Sequence, residues 1–142
     1  GKLLELETNI VGKYTNESFP YSVLYHVLWE VQPLGKSNAE TLFTSQETGE
    51  FVGVLAQDNP SGLSAKSWYL EQFPEIDERN IEIIQTKSGL SGVKSFEGYT
   101  AYFADDTRIY SIAYNYGLKT KVNFLTTWEM VYRSFELKKK TE

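Results

Sequence analysis

His26 is the single imidazole in a chain of 142 residues. Any Ser-His-Asp triad would therefore have to be built around it, inside the aromatic run Tyr25-His26-Val27-Leu28-Trp29. A lone histidine beside a strand is ordinarily structural or solvent-facing, and that is the reading adopted for it. Transition-metal sites use two or more imidazoles or thiolates, so no such metal site is expected. The chain contains no cysteine, which removes thiol catalysis, disulfides and iron–sulfur ligation together. Carboxylates remain. Asp105-Asp106 sits in a predicted tight turn, and Glu75, Asp77 and Glu78 cluster after a predicted helix. Neither group has the alternating ligands and fixed glycine of a calcium loop, so turn formation and solvation account for them better. Acids on distant strands can pair for glycoside cleavage without leaving a local motif. A hydrolase using dispersed carboxylates or His26 is accordingly the competing reading.

Two short patterns carry less. Gly89-Leu90-Ser91-Gly92 lacks the Gly-Lys-Ser/Thr ending of a nucleotide loop and precedes a predicted strand instead of a helix, so it reads as a turn. Asn16-Glu17-Ser18 is a formal glycosylation sequon, meaningful only in a secreted eukaryotic protein. The aromatic residues carry more, because they serve either a core or a recognition surface. Trp29, Trp68 and Trp128 fall where sheet-facing positions are expected and are assigned to the core. Tyr99, Tyr102, Tyr110, Tyr114 and Tyr116 lie in and beside one hairpin, whose two faces should leave some rings in solvent. Tyrosine is enriched at protein interfaces, so Tyr102, Tyr110, Tyr114 and Tyr116 are the expected binding surface.

These groups must be positioned by a sheet and two helices. Leu3 to Ile10 alternates in part as a half-buried strand does, and Gly12 to Ser18 reads as a turn. Phe19, Tyr21, Val23 and Tyr25 recur at period two, the signature of a strand with Pro20 near its start. Pro33 to Asn38 has loop chemistry. Glu40 to Ser45 and Phe51 to Gln57 flank a connection containing Gly49 and should pair antiparallel. Ser64 is a plausible N-cap for a short helix that carries Trp68 and Tyr69 and stops at Pro74. Asn80 to Lys87 reads as a strand and Ser88 to Gly92 as a turn. Asp105-Asp106-Thr107 joins the strands around Tyr99–Phe103 and Arg108–Tyr114, the strongest hairpin signal in the chain. Within it Tyr110, Ile112 and Tyr114 share one face. Phe124, Leu125, Trp128, Val131 and Tyr132 form the stripe of an amphipathic terminal helix that should pack on the sheet. Phe135-Glu136-Leu137 adds a last short strand.

The order of elements predicts an α+β fold with helices covering a mainly antiparallel sheet, in one domain over 1–142. Residues 1–18 form its N-terminal strand and loop, and 138–142 its solvated tail. No repeat or domain linker interrupts it. Hydrophobic residues make up 41% and charged residues 23%, the balance of a soluble globular chain. Fourteen Lys and Arg against nineteen Asp and Glu give a net charge of -5, which argues against nucleic acid or anionic lipid as a partner. No apolar run is long enough to span a membrane. The start on Gly1 instead of Met points to a trimmed chain, with a signal or anchor upstream compatible with that start.

Taken together, the early strand followed by Tyr25-x-x-x-Trp29, the strand pair, the helix around Trp68-Tyr69-Leu70, the late hairpin bounded by Gly98 and the terminal helix running into Arg133-Ser134-Phe135-Glu136-Leu137 resemble the PsbP-like proteins. That family includes the extrinsic photosystem II subunit, bacterial lipoproteins and a structurally similar Ran-binding import factor. The resemblance runs from about Phe19 to Leu137, with His26 where the family often has proline. It implies an α/β/α sandwich and a non-enzymatic binding or accessory role without a cofactor. With the start on Gly1 and the lack of cysteine and of a nucleophile constellation, this pattern makes the soluble part of a bacterial envelope or surface protein, extracytoplasmic and binding a protein partner or small ligand, the expected reading.

Overall fold

The structure is a computed structural model that describes residues 11–35, 38–118 and 121–138. The expected strand over Leu3 to Ile10 and the end of the tail lie outside the described residues. The α+β class expected from the element order is the one adopted: the described residues form two antiparallel sheets and two α-helices.

The large sheet is assembled around β9 (Arg108–Asn115), in which buried and half-buried positions alternate along most of its length. Tyr110, Ile112 and Tyr114 face the main core, as their period-two spacing requires. β8 (Thr100–Ala104) pairs with one side of β9 through the Asp105–Thr107 turn, and β5 (Phe51–Asp58) pairs with the other. β4 (Glu40–Thr44) and β3 (Glu30–Leu34) extend the sheet beyond β5; β7 (Ser91–Lys94) and β6 (Glu82–Gln85) extend it beyond β8. The order is β3-β4-β5-β9-β8-β7-β6, antiparallel throughout.

A three-stranded sheet forms from β1 (Val11–Thr15), β2 (Tyr21–His26) and β10 (Glu136–Leu137), with β2 central. α2 (Leu125–Ser134) packs on β2 and on β9. Of the predicted stripe, Trp128, Val131 and Tyr132 are buried, Phe124 is half-buried and Leu125, in the first turn, is exposed; the Trp128 indole donates to the Ile112 carbonyl at 2.9 Å. Phe135 stacks on Tyr21 and Phe103, with ring centroids 5.6 and 5.3 Å apart, which ties the small sheet to the large one. The opposite face of the large sheet carries α1 (Ala65–Gln72). Its Ala65 and Tyr69 pack with Val93 in a second cluster that includes Trp68 and Tyr102. Ser64 caps α1 as its sequence position predicts, its hydroxyl accepting from the Ser67 amide at 3.1 Å.

Four sequence expectations need correction. The expected turn over Gly12 to Ser18 is mostly strand: β1 pairs with β2, and Tyr14 sets its ring edge against Phe43 at 5.5 Å, so tertiary pairing overrides local turn chemistry. The turn itself is confined to 16–20, where the Asn16 side-chain oxygen accepts from the amides of Ser18 and Phe19. Pro33 lies in β3, tolerated because β3 is an edge strand and a missing donor there breaks no ladder. Ser91 and Gly92 belong to β7, pairing with Gln85 and Ile84 of β6. Finally, helices alone do not cover the sheet: α2 shares its layer with the three-stranded sheet.

Candidate functional site

The four tyrosines expected to form a binding surface do not share one. Tyr110 is fully buried, and its hydroxyl donates to Asp105 Oδ2 at 2.9 Å. Tyr114 is also in the core, and its hydroxyl donates to Glu50 Oε1 at 2.6 Å while accepting from the amides of Asn123 and Phe124. Tyr116 is half-buried, with its ring 6.1 Å from that of Tyr114. Tyr102 lies opposite Ser111 in the β8–β9 register, which places it on the α1 face, away from Tyr110. The period-two pattern was real, but one face of β9 became core and β8 presented its tyrosine to the other side.

The remaining sequence candidates resolve locally. His26 is half-buried, stacks on Trp29 at 5.6 Å and accepts from the Leu28 amide through Nδ1 at 3.3 Å. No hydrogen bond to a serine or an acid accompanies it in the described residues. Asp105 accepts from the amides of Thr107 and Arg108, the side-chain arrangement of a tight turn. Asp77 forms a two-point ion pair with Arg79, and Glu78 pairs with Lys66. Among the described residues no three His, Asp or Glu side chains gather in a way that would hold a metal ion.

Glu50 is the most deeply buried carboxylate described. Burial pushes it up, but hydrogen bonds from Tyr114, Asn123 and Thr48 more than offset this and hold it below the ordinary 4.5. Burial likewise raises Asp105, and bonds from Thr107, Tyr110 and Arg108 bring it below 3.8. A depressed carboxylate stabilises the fold above its unfolded value and loses that contribution as pH falls through the folded one. The expected result is a urea midpoint that is flat from neutral pH to about 5 and declines below it, with a shallower decline in Glu50→Gln. An acid limb unchanged in that variant would remove Glu50 from the account. At the alkaline end, burial and the Glu50 partner push Tyr114 up to about 12. A raised tyrosine loses its stabilising contribution as pH rises from about 10 through that value. Unfolding should therefore accompany the tyrosine absorbance change there.

What the structure brings together, and the sequence did not, is a groove between the end of α1, the 73–80 connection and the β7–β8 turn. Tyr69, Phe73, Ile76 and Phe96 line it, with Glu75, Asp77 and Glu97 among its polar groups, and its volume is about 540 Å³. Pro74 follows the helix, whose last turn leaves Phe73 partly in solvent with its ring 4.9 Å from Tyr69. Phe96, at the tip of the turn, is 76% exposed. The Tyr69 hydroxyl accepts from the Phe96 amide at 2.9 Å, so the helix and the turn are fastened across the groove. Phe73 and the acids Glu75 and Asp77 were visible in the sequence as a helix end and a solvated cluster. Their connection to Phe96 and Glu97, some twenty residues away, left no local signal.

No protein-family model and no curated protein matches the chain. Among solved structures, a crystal structure from Bacteroides thetaiotaomicron VPI-5482 is similar, with a TM-score of 0.66 at 14% sequence identity. The likeness covers 92% of this chain and 49% of that one. The chain thus spans about half the length of that neighbour, and at this identity the likeness concerns the fold alone.

Proposed function

We propose that this chain is a non-enzymatic PsbP-like binding or accessory domain and that it binds its partner or ligand through the Tyr69–Phe73–Phe96 groove. The observation that carries this reading is the Phe96 ring. A large apolar side chain held in solvent by a fastened turn, beside a concave apolar wall, marks a recognition surface more than a core that failed to close. The layer order α1, large sheet, then α2 with the small sheet supports an α/β/α sandwich of PsbP type as the finer description. The hydrolase alternative has less support: Glu50, Asp77 and Asp105 are engaged in hydrogen bonds or an ion pair, and His26, which accepts from a neighbouring amide, does not line the groove that holds the free Glu75 and Glu97.

The test is a nitrogen-15 NMR screen of small aromatic and charged fragments. Shifts centred on Tyr69, Phe73, Ile76 and Phe96 are expected, and Phe96→Ala should abolish them while leaving the rest of the spectrum folded. Shifts centred on another face would place the site elsewhere, and turnover of glycosidic or ester probes would overturn the non-enzymatic reading. The same proposal assigns the domain to the soluble part of a bacterial envelope or surface protein. A tagged full-length protein should fractionate with the envelope, and recovery from the cytosol would remove that assignment.

A further inference from the structure

The charge around the groove is one-sided. Three carboxylates, Glu75, Asp77 and Glu97, belong to its lining, which includes no lysine or arginine. Arg79 is committed to Asp77 at 2.8 Å and Lys66 to Glu78 at 2.9 Å. Glu75 and Glu97 have no ion-pair partner among the described residues and are exposed. Beside these two unneutralised charges stand the Phe73 and Phe96 rings, both partly in solvent.

Resting on the groove reading above, we infer that the occupant is an arginine-bearing segment of a partner protein, with the guanidinium received by the aromatic faces and by the Glu75 and Glu97 carboxylates. A guanidinium stacks on rings, forks onto carboxylates and is more weakly hydrated than an ammonium, so this pairing of flat apolar walls and free acids favours arginine over lysine. A cavity of about 540 Å³ is roomier than one side chain, so residues flanking the arginine enter with it. Each ring or carboxylate contact at such an exposed site changes Kd by roughly two- to fivefold, so affinity for a short peptide is weak and salt-sensitive.

The probe is the blocked peptide acetyl-Gly-Arg-Gly-amide, titrated into the nitrogen-15-labelled protein at low salt. Two further peptides carry lysine or the neutral isostere citrulline in place of arginine. The expected result is saturable shifts at Tyr69, Phe73, Phe96 and Glu97, weakened fivefold or more by citrulline and less by lysine. The Glu75→Gln/Glu97→Gln double variant, whose exposed positions leave the fold intact, should lower arginine binding about tenfold, and added sodium chloride should do the same. Equal binding of arginine and citrulline, or an unaltered Kd in the double variant, overturns the cationic assignment while the groove itself stands. Absence of groove shifts with all three peptides also overturns it. If the fragment screen is silent there as well, the binding reading falls with it.

Discussion

Replacing Gly92 by alanine should cost about 3 kcal/mol or more, a large share of the stability of a domain this size. A Cβ at this position would collide with the Tyr102 carbonyl oxygen and lie 2.5 and 2.6 Å from two carbons of the Phe103 ring. None of these atoms is a flexible tip. Tyr102 pairs with Val93 in the β7–β8 ladder, and Phe103 is fully buried among the aromatic rings that join the two sheets. Relief therefore requires β7 to move off β8, which would also open the second cluster around Tyr69. The control is Gly53→Ala, where the nearest atom is the Leu42 Cδ2 at 3.1 Å, the end of a side chain that can rotate. Urea titrations should show a large loss for Gly92→Ala and a small one for Gly53→Ala; comparable midpoints would refute the close-approach account.

Trp128→Ala is expected to cost about 3–5 kcal/mol, the range for deleting a large buried aromatic. The side chain is fully buried, its ring lies 4.8 Å from that of Tyr132, and its indole nitrogen donates to the Ile112 carbonyl. Removing it empties the contact between α2 and the central strand β9. For a domain with about 5–15 kcal/mol in total, that loss is a large fraction of the stability. Trp128→Phe separates the contributions: it keeps most of the ring, gives up the hydrogen bond and should cost roughly half as much or less. Trp29 and Trp68 remain as fluorescence reporters in both variants. If Trp128→Ala unfolds at the wild-type urea concentration, the helix is not anchored as described.

The contrast between Tyr110 and Phe96 shows where sequence reasoning reached and where it stopped. Tyr110 was legible as a strand residue sharing a face with Ile112 and Tyr114, because period two is a property of the extended backbone. Whether that face met water was not legible, since it depended on β2, β10 and Phe135 arriving from the chain's two ends. Phe96 sat unremarked in a turn, because nothing nearby in sequence distinguishes a ring held in solvent from one folded inward.

By itself the sequence determined the α+β class, the antiparallel hairpins at Gly49 and Asp105–Thr107, the Ser64-capped helix and the buried Trp128, Val131 and Tyr132 of the terminal helix. These follow from local causes: side-chain periodicity, caps and turn residues act over a few positions. Only the tertiary structure decided that β1 is a strand and that β7 takes in Ser91 and Gly92, because these residues are ordered by partners and not by their own preferences. It alone decided which tyrosines are core, since burial is a relation between layers. And it alone made the groove, by fastening the end of α1 to the β7–β8 turn through Tyr69 and the Phe96 amide, two positions separated by 27 residues.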